Sequence, residues 1–170
     1  MIVEITDPAE KQAVARYVLE ALTDWFGIEE SREGYISGSA GWTFLAARED
    51  NSITGFLCLK ETGKATAEIA VMGVLKEYHR RGTGRRLVEK AKEAARARGY
   101  EFMQVKTVKM GVYDDYDRTN LFYISCGFKE LEVFPLLWDE RNPCQVYVMS
   151  LASENPERQA ITDSGPTESR

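Results

Sequence analysis

Seven residues, His79-Arg80-Arg81-Gly82-Thr83-Gly84-Arg85, carry the densest concentration of binding chemistry in the chain. Two glycines allow a tight turn that presents backbone N–H groups, and three arginines flank them. An apolar run, Ile69 to Leu75, precedes the turn, and an amphipathic stretch, Arg85 to Arg98, follows it. Strand, basic glycine turn and helix N-terminus together suit a phosphate or pyrophosphate, because unpaired N–H groups and the helix dipole both favour negative charge. The turn lacks the G-x-x-x-x-G-K-[ST] of a P-loop, and Leu87 stands where a G-x-G-x-x-G fingerprint needs its third glycine. A glycine turn with solvated arginines fits the same residues, and the turn alone does not separate the two readings.

The elements that must position this turn follow from apolar spacing. Ile69 to Leu75 reads as a strand buried on both faces, with Ala70, Met72 and Val74 on one side and Ile69, Val71 and Leu75 on the other. Apolar residues at 87, 88, 91, 94 and 95 make one helix stripe, and Gly99 is placed to end it. Upstream, Met1 to Ile5 reads as a short strand. Asp7-Pro8 opens a helix whose stripe is Val14, Tyr17, Val18, Ala21, Leu22 and Trp25, ended by Gly27. Residues 28–41 read as a short helix or mobile loop. Trp42 to Arg48, Ile53 to Lys60 and Ala65 to Leu75 form an antiparallel meander with turns at 49–52 and 61–64. The helix then crosses to Phe102–Val108, which must lie parallel to the strand before it.

Further on, 109–116 is a polar loop, and Arg118 to Cys126 is a short helix with Asp117 as cap and Gly127 as terminator. Phe128 to Phe134 and Gln145 to Leu151 are the last strands, with a loop from Pro135 to Pro143 between them. The reading is one α/β (α+β) domain over 1–152, with a mixed, mostly antiparallel sheet. Residues 153–170 lack aromatics and an apolar period and are expected to be a disordered tail.

Composition narrows the function class. The 170 residues are 44% hydrophobic and 29% charged, ordinary for a soluble domain. No apolar run approaches the ~18 residues of a membrane helix, and Met1 to Pro8 does not read as a signal peptide. Cys58, Cys126 and Cys144 are an odd count without C-x-x-C and read as reduced, mostly buried thiols of a cytoplasmic protein. One histidine and no ligand-like cysteine spacing speak against a zinc site. The net charge of −5 is uneven: residues 76–98 hold nine Lys or Arg against three Glu. A basic zone in an acidic body suits an anionic cofactor and a cationic substrate, and argues against general nucleic-acid binding.

His79-x-x-Gly82-x-Gly84 after a buried strand resembles the [QR]-x-x-G-x-[GA] acetyl-CoA motif of the GNAT superfamily of N-acetyltransferases. Phe122-Tyr123-x-x-x-Gly127-Phe128 resembles a second element of that family, in the right order and spacing. The resemblance covers about residues 1–151. It implies a sheet of about seven strands flanked by about four helices, with two parallel strands splayed around acetyl-CoA and no metal. It departs from the usual motif at His79, which the family's use of that residue's backbone N–H should tolerate. Tyr116 also stands where many members carry a cofactor-touching Asn, and Thr119 where they carry Ala.

By that resemblance, Arg80 to Arg85 take the pyrophosphate, Met72 faces the thioester oxygen with a free backbone N–H, and Gly73 and Val74 pair with the pantetheine arm. Gly73 fits close packing against a helix equally well. Acyl transfer to an amine needs a neutral amine, donors for the carbonyl oxygen and a proton for the leaving thiolate. The resemblance makes Tyr123 the acid, with a core-edge tyrosine as the plain alternative. Glu68, at the start of the buried strand, is the best single candidate for the base. It lies four residues from Met72, on the same face of an ideal strand and ~13 Å away, a gap that suggests relay through water. A solvent-facing edge carboxylate is the alternative. Tyr116, Asp114, Asp115 and Asp117 are further candidates, Asp139 and Glu140 could attract a cationic amine, and Trp25, Phe26 and Tyr35 could line the acceptor pocket.

The expected function is transfer of acetyl from acetyl-CoA to a primary amine, of a small molecule or a peptide, by direct attack in a ternary complex. No acyl-enzyme is expected on Cys126, which has no base beside it. A non-catalytic acyl-CoA sensor of the same fold is the alternative, and a nucleotide or nucleic-acid module is a third. A homodimer through the last strands is implied by the resemblance alone.

Overall fold

The computed structural model describes residues 1–152, so the tail expected at 153–170 lies outside the described residues. The chain opens with β1 (Ile2–Ile5) and α1 (Pro8–Glu20). The Asp7 carboxylate accepts a 2.8 Å hydrogen bond from the Glu10 N–H, and Pro8 occupies the first turn, as the spacing predicts. The helix stops at Glu20 rather than Gly27. From Ala21 on the chain winds through turn bonds, Trp25 and Phe26 N–H both reaching the Leu22 carbonyl. Thr23 and Asp24, poor interior helix residues, explain the early stop. Tyr17 is 57% exposed, so only Val14, Val18 and Leu22 of the expected stripe are core, joined by Ala15 and Leu19. Residues 28–41 resolve into α2 (Glu29–Ser39).

Next come β2 (Thr43–Glu49), β3 (Ser52–Gly63) and β4 (Thr66–Val74), a short 3-10 turn at Lys76–Tyr78, α3 (Thr83–Ala97) and β5 (Phe102–Val108). The chain closes with α4 (Asp114–Ser125), β6 (Lys129–Asp139) and β7 (Asn142–Ser150). One seven-stranded sheet runs in the order β1-β2-β3-β4-β5-β7-β6. Every neighbouring pair is antiparallel except β4 and β5, as the crossover requires.

Helices cover both faces. On one face Leu87, Val88, Ala91 and Ala95 of α3 pack with Leu57, Leu59, Ala67, Ile69 and Val105, and Tyr123 of α4 joins them. On the other, Val14, Val18, Leu19 and Leu22 of α1 pack with Phe44, Phe56, Cys58 and Val71. Each fully buried aliphatic contributes roughly 1.5–3 kcal/mol by leaving water.

Strand β4 does not alternate as the sequence suggests. Cys58 pairs with Val71 and Leu59 with Ile69, so Ala70 has no partner on β3. This β-bulge turns Ala70 and Val71 both toward the α1 layer, while Ile69 and Met72 both join the α3 layer. Glu68 alternates with Ala67 and Ile69, which puts it on the α1 face. Glu68 and Met72 therefore lie on opposite faces, and the same-face separation expected from an ideal strand does not apply.

Gly73 lies flat under α1. A Cβ there would sit 2.9 Å from Leu22 Cδ1 and 3.0 Å from Val18 Cγ1. Helix packing accounts for this glycine. Gly73→Ala is expected to destabilise the fold by about 1–3 kcal/mol, the usual cost of overpacking. The check is a lower denaturant midpoint at unchanged slope; an unchanged midpoint would mean that α1 gives way freely.

The last strands also differ from expectation. The segment Pro135 to Pro143 is a hairpin, with β6 running to Asp139 and β7 starting at Asn142. Asp139 makes the turn: its carboxylate accepts from the N–H groups of Arg141 and Asn142 and from the Asn142 amide. Those bonds, led by the Asn142 side chain, hold its acid below the usual range. Leu131, Leu136, Leu137 and Trp138 along this hairpin are exposed.

Candidate functional site

The parallel pair creates the site. β4 and β5 are paired only from Thr66–Phe102 to Ile69–Val105. Beyond that rung the strands part, leaving the β5-facing edge of Met72, Gly73 and Val74 without a partner strand. The expected splay is thus present, and the glycine turn stands at the head of the opening.

In the turn, Arg80 has φ +59 and Gly82 φ +78, both left-handed. This pair of turns lays successive N–H groups along one path. Among the described residues, the N–H groups of residues 80 through 85 find no acceptor, and α3 has no side-chain cap and no acidic residue in its first turn. An uncapped helix of this length concentrates partial positive charge at its N-terminus. Gly84 is closely approached: a Cβ there would lie 3.1 Å from Phe122 Cζ and 3.8 Å from Met72 Cε. Arg85 turns to α4, donating at 3.1 Å to both the Ser125 carbonyl and its hydroxyl. The Arg81 guanidinium lies over the Tyr78 ring, 5.4 Å from its centroid.

His79 behaves differently from the expectation drawn from the family. Its N–H is already bonded to the Lys76 carbonyl at 3.1 Å, so it is not on offer. Its ring Nε2 lies 2.6 Å from the Val74 carbonyl and its edge meets Trp25 at 5.8 Å. His79 fastens the end of β4 to the turn and to the α1–α2 loop.

Tyr123 comes from α4 into the same opening. Its ring is packed by Phe122, Phe128 and Tyr147, and its hydroxyl has no hydrogen-bond partner among the described residues. Burial, first of all, pushes its phenol well above the ordinary value, with Cys126, Tyr35 and Tyr116 adding to the effect. The other buried tyrosine nearby is satisfied: Tyr147 donates to Asn120 Oδ1 at 2.7 Å. The Asn120 amide in turn donates to the Val108 and Tyr116 carbonyls, tying α4 to the end of β5. Asn120 was not legible as a site residue. Its only sequence signal is a polar residue on the buried stripe of a helix.

Glu68 sits at the last paired rungs of β4, only 4% exposed. Its carboxylate is 2.8 Å from Lys106 Nζ, 3.2 Å from Gln104 Nε2 and 3.9 Å from Lys60 Nζ. This is an enclosed, cation-held carboxylate, and the reading of a solvent-facing edge group is corrected. The Tyr116 hydroxyl donates to the Trp25 carbonyl at 2.8 Å. Helix α4 begins a turn earlier than expected, so Asp114, Asp115 and Asp117 lie in its first turn, where Asp117 accepts from the Gly111 N–H. Trp25, Phe26 and Tyr35 are half-buried beside the α1–α2 core, Phe26 and Tyr35 meeting edge-on. Asp139 and Glu140 are at the hairpin tip, exposed.

The three cysteines are free and buried. Burial raises all three thiols, Cys144 to about 11, which keeps them protonated and poorly nucleophilic near neutrality. Among the described residues, no group of three His, Cys, Asp or Glu side chains is arranged to hold a metal ion. No described helix is long and apolar enough to cross a membrane.

Among the described residues, a seven-stranded mixed sheet parts at its one parallel pair, with a glycine turn and an uncapped helix N-terminus at the parting. The chain belongs to the acetyltransferase (GNAT) family, whose model matches residues 8–128. Solved structures share the fold. A GNAT-family protein from Desulfovibrio desulfuricans aligns over 89% of this chain and 99% of its own, at 18% identity and TM-score 0.77. An aminoglycoside 6'-N-acetyltransferase complexed with coenzyme A aligns over 91% and 99%, at 14% identity and TM-score 0.70. A GNAT family acetyltransferase from Elizabethkingia anophelis with acetyl-CoA bound aligns over 88% and 97%, at 16% identity and TM-score 0.64. By sequence, no curated protein matches the chain.

Proposed function

We propose that this chain is an acetyl-CoA-dependent N-acetyltransferase that acylates a primary amine by direct attack. The observation that carries the reading is the run of six consecutive N–H groups, residues 80 through 85, without acceptors at the head of the parted strands. Buried or helix-terminal donors left open in this way suit a pyrophosphate, and family membership supplies the acetyl-CoA. Solved proteins of the same fold hold coenzyme A or acetyl-CoA, which supports the same ligand here.

In this reading Arg80, Arg81, Gly82, Thr83, Gly84 and Arg85 hold the pyrophosphate, with His79 as the structural tie behind them. The open edge of Met72, Gly73 and Val74 receives the pantetheine arm and offers an N–H to the carbonyl oxygen. The amine attacks the carbonyl carbon, the C–S bond breaks, and the electron pair stays on sulfur. Tyr123 donates its O–H toward that sulfur, the proton shed by nitrogen leaves through solvent, and solvent returns a proton to the Tyr123 phenolate. Glu68 and its lysines face the acceptor side of the sheet. The carboxylate there receives the amine's proton through solvent, since the bulge turns it away from Met72. The acceptor is a small-molecule or peptide amine. A homodimer and a cytoplasmic setting belong to the same reading.

Calorimetric titration with acetyl-CoA, with ATP and NAD as controls, tests it. Micromolar binding of acetyl-CoA alone is expected, followed by thiol release with a panel of amines. Absence of binding would refute it. Binding without release on any amine or peptide would favour a sensor of the same fold.

A further inference from the structure

A second basic cluster lies on the other flank of α3 and shares only Arg81 with the proposed cofactor site. Arg85 leaves one side of the helix toward Ser125 of α4. Arg86, the next residue, borders a cavity of about 270 Å³ with Arg48, Arg81, Glu49, Thr54 and the Met1–Ile2 segment. Three arginines from three elements, β2, the turn and α3, thus line one space. Their charge is poorly compensated. Arg48 pairs with Glu10 at 2.9 Å, but among the described residues neither Arg81 nor Arg86 has a carboxylate partner, and Glu49 is the one acid lining the cavity. Arg48 keeps its buried Nε without an acceptor, so among the described residues its guanidinium is held by Glu10 alone.

We propose that this cavity binds a phosphate monoester of a small metabolite. The guanidinium fork matches a tetrahedral oxyanion through paired N–H donors. The cavity is roomier than one phosphate needs, which leaves space for an organic substituent against Ile2 and Ala47. Arg81 lies on both sites, so the assignment stands on Arg48 and Arg86.

The test titrates the full chain by calorimetry with inorganic phosphate and with glycerol 3-phosphate, each with and without saturating acetyl-CoA. With acetyl-CoA saturating and the glycine turn thereby filled, both probes are expected still to bind, the ester more tightly. Arg86→Gln, at an exposed helix position, and Arg48→Gln are each expected to weaken glycerol 3-phosphate at least about tenfold, the loss of one good charged contact. Acetyl-CoA affinity is expected to stay within about twofold in Arg86→Gln. Displacement by acetyl-CoA would put the anion in the glycine turn and overturn the second site. Equal affinity in parent and Arg86→Gln would overturn it too, and an ester no tighter than phosphate would overturn the monoester assignment. A chain that binds the ester but not acetyl-CoA would sink the acetyltransferase reading and leave this one standing.

Discussion

Tyr123→Phe is expected to lower kcat by about 10²-fold while acetyl-CoA affinity stays within about twofold, the scale of one proton donor aimed at a reacting group. The expectation rests on a contrast inside the site. Tyr116 and Tyr147 spend their hydroxyls on Trp25 and Asn120, but the Tyr123 hydroxyl has no partner among the described residues. A phenol that holds no acceptor within the fold is free to donate to a group entering the cleft. Its raised pKa has a definite sign. The proton-bearing form persists past the ordinary phenol value of ~10, so Tyr123 produces no limb in the pH–rate profile near neutrality. A donor that must keep its proton until sulfur departs is served by that shift. The ring packs on three aromatic neighbours that Phe retains, so stability should hold or rise. Lost kcat at kept stability identifies a donor. Kept kcat with weakened acetyl-CoA binding would remove Tyr123 from the chemistry.

What the sequence made legible was set by local physics. The strand, turn and helix around Gly82 were readable because each rests on spacing within a few residues, and β5 falls on Phe102–Val108 as its apolar pattern predicts. What escaped was non-local. The bulge at Ala70 is a matter of how β3 meets β4, and no residue in β4 announces it; yet it decides which face Glu68 occupies. Gly73 allowed two readings until α1 was seen to lie on it. The 135–143 hairpin was hidden by Pro135 and Pro143, which speak against a strand, although Pro135 lies on the edge strand β6 and Pro143 at the very start of β7. The lysines around Glu68 come from β3 and β5, far apart in the chain, so the enclosed carboxylate was invisible one strand at a time.

Replacing Arg81 by Ala and Gly82 by Asp together is expected to weaken acetyl-CoA by about 10³-fold, two charged contacts' worth, and leave the fold intact. Gly82 has φ +78, and a Cβ placed there meets nothing within 4 Å. The new side chain therefore fits, at a conformational cost of roughly 1–2 kcal/mol, in a region where Asp is among the tolerated residues. Gly82 is also the N-cap of α3, a helix with no side-chain cap of its own. An Asp at that position sets its carboxylate beside the helix N-terminus, where the dipole favours it. That placement is what defeats the cofactor: it sets a like charge beside the pyrophosphate. Arg81→Ala alone, which removes one exposed cation and no donor of the backbone, is expected to cost about tenfold. The double variant should melt within a few degrees of the parent and show its loss in the titration alone. Undiminished acetyl-CoA binding in a folded double variant would show that residues 80 through 85 are a turn and nothing more, and the case for an acetyl-CoA site would have to be rebuilt from the parted strands.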